Sequence, residues 1–222
     1  DSPTVQAAVE ATLQTITQHA IPVIGAGRTD AGTHALGQVA SFRSDKALSP
    51  EAWKRALNGL LPQNISVLAA EQVPDDFHAR YSARGKLYQY RIVNRVERSA
   101  LERNRVWHVR APLDLNAMRE AASLLVGRHD FSSFQGSPTD NENPICDLRR
   151  LDIHREPPVV RIEAEADRFL KQMVRAIVGT LVEVGRAKRS PKSVKEILGA
   201  RDRRAAGVTA PAHGLYLVRV EY

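Results

Sequence analysis

Residues 25–34 read Gly-Ala-Gly-Arg-Thr-Asp-Ala-Gly-Thr-His, and the rest of the chain is organised around this stretch. An apolar run at 21–24 precedes it and a strand-like run at 36–42 follows it, which predicts a turn between two short strands. Glycine allows backbone angles and close approaches that other residues do not, so the turn can present the carboxylate of Asp30 to a partner. In an extended segment Arg28 would lie on the same side as Asp30, and its charge would favour the ionised carboxylate. A surface ion pair on a Gly-rich hairpin accounts for the same pattern equally well.

The composition is that of a globular protein with a basic second half. The 222 residues are enough for one large domain or two small ones. The formal net charge is +7, and it is unevenly spread: residues 1–80 carry 6 Lys/Arg and 8 Asp/Glu, whereas 81–222 carry 26 and 17. This imbalance favours a polyanionic partner held mainly by the second half. Basic runs such as 201–204 are, however, also typical of solvated surface.

Cysteine content and hydropathy exclude several classes of protein. The single cysteine, Cys146, rules out an internal disulfide framework and a cysteine-based metal cluster. Its expected role is that of a small apolar residue. No apolar run approaches the roughly 18 residues of a membrane span, and no signal-peptide pattern opens the chain. We therefore expect a cytoplasmic protein.

The first half of the chain predicts the order α-β-β-α-β. Ser2 and Pro3 are typical of a helix start, and Ser49 with Pro50 repeats the signal. The expected elements are a helix after Ser2, strands at 21–24 and 36–42, a helix after Ser49, and a strand at 65–73.

The second half predicts the order β-α-β-β-α-(α)-β, which is the split β-α-β pattern. Its expected elements are a strand at 86–93, a helix capped by Asp114, strands at 147–153 and 159–166, helices at 168–184 and 190–199, and a strand at 215–222. The first half shows the same order without its first strand, so we expect the natural protein to begin upstream of Asp1, or that segment to be missing.

These patterns predict an α+β fold of two ferredoxin-like domains with antiparallel sheets side by side. The expected domains are residues 1–80, which carry the Asp30 turn, and the basic residues 81–222. A cleft between two such domains is a usual place for a ligand site.

The helix predicted at 168–184 offers a second group of candidate site residues. Its apolar residues fall on one face, and the opposite face collects Arg168, Lys171, Gln172, Arg175 and Gly179. Gly179 costs helix stability but allows a close approach, so this face would lie beside the cleft and reach Asp30 with Arg175. A solvated basic face is the alternative.

Tyr88 lies in the strand predicted at 86–93, where it alternates with Tyr90. A tyrosine facing a cleft offers a flat surface for a nucleobase and a hydroxyl for a polar contact. Core packing explains the same alternation.

Several common sites are absent from the sequence. It has no P-loop, no complete dinucleotide-binding glycine motif, no HExxH zinc motif and no nucleophile elbow. What remains is one carboxylate with arginines and a tyrosine. This set indicates nucleophilic or acid–base chemistry without a cofactor or metal.

Residues 27–35 resemble the catalytic motif of tRNA pseudouridine synthases of the TruA type, with Thr33 where that family usually has valine. The resemblance continues in order through 75–80, Tyr88 and Tyr90, 130–134, 173–179 and 214–218. It thus spans nearly the whole chain. The family's opening strand, with its Tyr-Asp-Gly and Gly-Trp-Gln segments, is not in this sequence.

The resemblance implies isomerisation of uridine to pseudouridine at positions 38, 39 and 40 of the tRNA anticodon arm, without a cofactor. Asp30 would be the nucleophile, attacking either C1′ of the sugar or C6 of the base. Arg175 would pair with Asp30, Tyr88 would stack on the target base, and Arg28 would part that base from its neighbours or hold the backbone. The resemblance also implies a homodimer in which one tRNA contacts both subunits.

Two other functions fit the sequence. Split β-α-β folds commonly bind RNA without catalysis, although the aromatic motif typical of such modules is absent. An N-glycoside hydrolase acting on RNA could use the same carboxylate at C1′.

Overall fold

The computed structural model describes residues 4–137 and 143–222, and they form an α+β protein. The chain divides into two compact units. Unit 1 comprises Asp1–Arg28 and Val39–Ala83, and unit 2 comprises Thr29–Gln38 and Arg84–Tyr222. The segment that carries Asp30 therefore groups with unit 2, whereas the sequence pattern assigned it to the domain at 1–80.

The described residues form nine strands and five α-helices. The helices are α1 Val5–Thr17, α2 Pro50–Leu60, α3 Leu115–Ser123, α4 Met173–Gly185 and α5 Ser193–Ala200. The strands are β1 Ile24–Gly25, β2 His34–Ala35, β3 Ala40–Ser41, β4 Gly85–Asn94, β5 Trp107–Val109, β6 Gly127–Asp130, β7 Ile145–Glu156, β8 Val159–Ala166 and β9 Leu215–Glu221.

Unit 1 consists of α1, α2 and the antiparallel pair β1–β3. The predicted helix start at Ser49 is confirmed, because its hydroxyl accepts a hydrogen bond from the Ala52 N–H at 3.2 Å. Thr4 caps α1, while Ser2 and Pro3 lie outside the described residues. A separate small core joins the elements of this unit, and it contains Leu13, Ile21, Val23, Trp53, Leu57 and Leu61.

The strand predicted at 65–73 is wrong, because these residues have no regular secondary structure. The amide side chain of Asn58 forms hydrogen bonds with both backbone polar groups of Val67. It donates to the Val67 carbonyl oxygen at 2.8 Å and accepts from the Val67 N–H at 2.7 Å. A side chain on α2 thus takes the bonds that a neighbouring strand would otherwise make. The predicted strands at 21–24 and 36–42 are likewise reduced to the two-residue strands β1 and β3.

Unit 2 is built on one mixed sheet with the strand order β2-β9-β4-β8-β7-β6, and β5 pairs with the end of β4. The β2–β9 and β4–β5 pairs are parallel and the others are antiparallel. The strands expected at 86–93, 147–153, 159–166 and 215–222 are confirmed as β4, β7, β8 and β9. The short strands β2, β5 and β6 were not predicted.

One face of this sheet is covered by helices. Asp114 caps α3 as predicted, since its carboxylate accepts from the N–H groups of Asn116 and Ala117 at 2.9 and 3.0 Å. Helix α3 packs against α4 and β7, and the helices share one core with the sheet. Its largest fully buried side chains include Tyr90, Phe131, Phe134, Met118, Leu148, Ile162, Met173, Ile177 and Leu181.

The helix predicted at 168–184 begins five residues later, at Met173. Gln172 has a φ of 59°, in the left-handed region, and this breaks any continuous helix through 168–172. Eleven of the thirteen residues of α4 are buried, and only Arg175 and Glu183 are not. The expected basic helix face is therefore wrong, because α4 lies inside the core rather than along its surface.

Gly179 has a different role from the one expected. A Cβ at this position would collide with the carbonyl oxygen of Val208. The neighbouring Gly207 N–H donates to the hydroxyl of Thr180 at 2.9 Å, which holds this segment against α4. The close approach that Gly179 permits is therefore that of the chain's own backbone.

Gly179→Ala is expected to destabilise the protein by about 1–3 kcal/mol, because overpacking a tight contact outweighs the better helix propensity of alanine. Gly199→Ala is the matched control, since Gly199 lies in α5, where an added methyl group would meet no atom within 4 Å. That change should be neutral or stabilise by up to about 1 kcal/mol. Urea unfolding of both variants measures the difference, and equal stabilities would contradict the packing assigned to Gly179.

Candidate active site

The turn that carries Asp30 is attached to the main sheet of unit 2. Gly32 has a φ of +83°, which favours glycine, and the Thr33 N–H donates to the Asp30 carbonyl oxygen at 3.0 Å. The chain then enters β2, which runs parallel to β9 with His34 opposite Tyr216. The Leu36 N–H adds a bond to the Leu217 oxygen at 2.8 Å. The sheet therefore sets where the carboxylate lies.

Asp30 forms an ion pair with Arg175 on the first turn of α4. The distance from Arg175 Nη1 to Asp30 Oδ2 is 2.5 Å, and the two side chains are 14% and 29% exposed. The Arg175 Nε–H donates to the Ala210 carbonyl oxygen at 2.7 Å. One guanidinium is thus held by two acceptors, and it leaves part of the carboxylate open to solvent. The contact between Arg175 and Asp30 expected from the sequence is present.

Tyr90 supports the segment that holds Arg175. Its hydroxyl donates to the Pro211 carbonyl oxygen at 2.7 Å, and the side chain is fully buried. The adjacent Ala210 N–H donates to the Arg175 carbonyl oxygen at 3.1 Å. Since a buried, satisfied hydroxyl restrains its partner, Tyr90 positions residues 210–211, and through them Arg175.

Tyr88 lies near this pair but within the core. It is 8% exposed, and its ring meets Phe169 edge to face with centroids 5.0 Å apart. Burial raises the pKa of Tyr88 to about 12, and the Asp30 carboxylate contributes in the same direction. At neutral pH the hydroxyl is therefore an uncharged hydrogen-bond donor close to Asp30.

Arg28 is exposed and belongs to unit 1, whereas Asp30, Arg175 and Tyr88 belong to unit 2. The structure thus brings three of the four candidate residues together, and the role of Arg28 stays a prediction.

Two contributions to this site were not found from the sequence. The carbonyl oxygen of Ala210 carries no residue-type signal, because every residue has one. The sequence shows only that Tyr90 shares a strand face with Tyr88. This alternation indicates that the side chain is buried, but it does not identify the partner of the hydroxyl.

Two other features are absent from residues 4–137 and 143–222. Within these ranges, no group of three or more His, Cys, Asp or Glu side chains is placed to hold a metal ion. No helix there is both long enough and apolar enough to cross a membrane.

Comparison with known proteins identifies the family. A family model described as tRNA pseudouridine synthase matches residues 1–82 and 121–222. The chain belongs to the tRNA pseudouridine synthase family. Asp30 and Arg175 lie in the two matched ranges of this synthase, and Tyr88 lies in the segment between them.

Individual relatives agree with this assignment along the whole synthase chain. It is 44% identical to a tRNA pseudouridine synthase A of Allorhizobium ampelinum, over 225 residues that cover 100% of this chain and 87% of the relative. The enzyme of the same name from Myxococcus xanthus is also 44% identical, and the match covers 100% of this chain and 84% of the relative. The tRNA pseudouridine synthase A of Thermoanaerobacter sp. (strain X514) is 43% identical, and the match covers 99% of this chain and 90% of the relative.

The environment of Tyr88 predicts a late titration. A tyrosine in the unfolded chain ionises near pH 10, so the raised folded-state pKa means that stability is retained up to about pH 10 and falls as the pH rises towards 12. The difference in tyrosinate absorbance between the wild type and Tyr88→Phe should show a midpoint of about 12.

Asp30→Asn is the companion variant for that titration. It should lower the pKa of Tyr88, because it removes the carboxylate charge that helps to raise it. A difference titration centred near 10 in the folded wild type would contradict the burial of Tyr88.

Proposed function

We propose that this protein isomerises uridine to pseudouridine in tRNA, at positions 38, 39 and 40 of the anticodon arm. The observation that carries the proposal is the Asp30–Arg175 pair, a partly exposed carboxylate held by one guanidinium, in a chain of the tRNA pseudouridine synthase family. The protein is accordingly an isomerase with tRNA as its substrate. The net charge of +7 suits a polyanionic substrate.

Asp30 is the proposed nucleophile. A carboxylate is itself a nucleophile, so Asp30 attacks without a general base. Attack at C1′ breaks the glycosidic bond directly, and attack at C6 gives an adduct from which the bond then breaks. In either route the uracil turns, C5 bonds to C1′, and the bond to Asp30 breaks, which returns the carboxylate. The C5 proton is lost to solvent while N1 gains one. The product has the atoms and oxidation state of the substrate, so the reaction needs no cofactor.

The other proposed site residues act around Asp30. Arg175 keeps the carboxylate oriented, since its second bond to Ala210 limits how it can turn. Tyr88 contacts the target base, and its small exposed fraction restricts that contact to a small part of the side chain. We propose that Arg28 helps to part the target base from its neighbours, a step that costs a few kcal/mol.

We also propose the architecture of two ferredoxin-like domains. The strand order β9-β4-β8-β7, with α3 between β4 and β7 in sequence and α4 between β8 and β9, supports this for unit 2. Unit 1 contributes two helices and a strand pair.

Assembly and compartment complete the proposal. We propose a cytoplasmic homodimer in which one tRNA contacts both subunits. Sedimentation velocity should then give twice the mass of the chain, and fractionated cells should hold the protein with the soluble tRNA pool. A monomer mass would contradict the dimer.

Asp30→Asn is expected to bind tRNA and to form no pseudouridine, because the amide has nearly the same shape but is not a nucleophile. Mass-resolved mapping of pseudouridine in tRNA incubated with each protein measures the product. Asp152→Asn is the matched control, since it removes a carboxylate from a surface ion pair with Arg150 at 3.5 Å on β7. It should stay active.

The outcomes of that experiment separate the alternatives. Product from Asp30→Asn would show that Asp30 is not the nucleophile. Free uracil with the wild type would indicate an N-glycoside hydrolase. Wild-type protein that binds tRNA but releases no tritium from uracil labelled at C5 would be a binding protein only.

Tyr88→Phe tests which part of that side chain matters. The ring and its edge contact with Phe169 remain, and only the hydroxyl is lost. Removing a hydrogen bond to the substrate should lower kcat/KM about tenfold. Unchanged turnover would show that the ring alone contributes.

A further inference from the structure

The connection between β4 and β5 is an exposed loop rich in arginine. Residues 95–106 contain Arg95, Arg98, Arg103 and Arg105. Arg103 and Arg105 are exposed, and neither forms an ion pair with any residue in the described part of the chain. Two uncompensated guanidinium groups, two residues apart in the sequence, are therefore exposed to solvent.

The backbone between these arginines is anchored at successive residues. The Tyr216 hydroxyl donates to the Arg105 carbonyl oxygen at 2.7 Å. His34 Nε2 lies 2.9 Å from the Asn104 carbonyl oxygen, which can only accept, so the imidazole donates. Within the loop, the Arg105 N–H donates to the Glu102 oxygen at 2.8 Å. The loop is thus exposed in its side chains but restrained in its backbone.

The two anchoring side chains are themselves held together. The rings of His34 and Tyr216 stack with centroids 4.7 Å apart and planes at 22°. The Arg91 guanidinium lies 5.7 Å from the centre of the Tyr216 ring and pairs with Glu102 at 3.1 Å. Because Arg91 neutralises Glu102, the remaining charge of residues 102–105 is that of the two free arginines.

This anchor connects the loop to the Asp30 turn. His34 is four residues after Asp30, a stretch that spans at most about 14 Å. His34 and Tyr216 are also register partners in the β2–β9 pair that positions the turn. The loop backbone is therefore joined to the Asp30 turn by a short stretch of chain and by the hydrogen bonds of His34 and Tyr216.

We infer that Arg103 and Arg105 bind phosphates of the tRNA strand beside the target uridine. His34 and Tyr216 are positioning residues for this contact, because they hold the backbone of the arginine-bearing loop without touching the RNA in this scheme. The inference rests on the proposed function, which supplies the RNA. Free guanidinium groups on a restrained backbone suit phosphate oxygens, since little side-chain and loop entropy is lost on binding.

The test is the salt dependence of turnover by the wild-type and variant chains on unmodified tRNA. Arg103→Gln/Arg105→Gln should raise KM about tenfold or more in moderate salt and leave kcat at saturating tRNA unchanged. The slope of log(1/KM) against log salt concentration should become shallower by about 1.4–1.8, because each lost phosphate contact removes about 0.7–0.9.

Arg128→Gln/Arg155→Gln is the matched control, with the same charge change. Both residues are exposed and lie on β6 and β7, at the opposite edge of the sheet from β2. This variant should keep the wild-type KM and slope. Equal losses in the two double variants would overturn the assignment, because net charge alone would then explain them.

Tyr216→Phe separates positioning from charge. It removes the bond to Arg105 and keeps both guanidinium groups. KM should rise severalfold with the salt slope unchanged, and an unaltered KM would overturn the positioning role of Tyr216.

The remaining outcomes distinguish the two proposals. An active Arg103→Gln/Arg105→Gln protein with wild-type KM and slope would overturn the loop assignment alone. A changed sedimentation mass with unchanged KM would make the loop a subunit contact and overturn the RNA contact. Absence of pseudouridine with the wild type would instead contradict the proposed function.

Discussion

The Arg175 guanidinium is the group on which the candidate site depends. It bridges the Asp30 carboxylate and the Ala210 carbonyl oxygen, at 2.5 and 2.7 Å. A surface ion pair contributes only about 0–1 kcal/mol, but these side chains are mostly buried. Removing one partner would leave an uncompensated charge in a poorly solvated place, which is costly. Because a buried ion pair gains little net stability even though breaking it is costly, the main effect of this pair is to fix the position of the carboxylate.

The burial of α4 explains why one arginine can have this role. Eleven of its thirteen residues are buried, so the helix is locked in place by the core. Gly179 lets the backbone around Val208 pack directly on α4, and this segment continues to the carbonyl oxygens that accept from Arg175 and Tyr90. Core packing and site geometry are thus consequences of the same close contact. A change at Gly179 should disturb both.

The sequence predicted elements well where local signals were strong. The caps Ser49 and Asp114 mark helix starts that the structure has, since a side-chain acceptor near free N–H groups acts within one turn. The β4, β7, β8 and β9 strands were predicted because β-forming residues recur at alternate positions along them. The strand at 65–73 was wrong, because the side chain of Asn58 satisfies backbone groups there that a strand partner would otherwise bond.

The sequence by itself determined the carboxylate, its arginine partner and the family, because residue type and order are sufficient for motifs. Only the tertiary structure decided that residues 29–38 group with unit 2, that Tyr90 and Ala210 hold Arg175, and that His34 and Tyr216 restrain the arginine loop. These contacts join residues up to 121 positions apart. They depend on strand pairing and on main-chain carbonyl groups, which look alike at every position of a sequence.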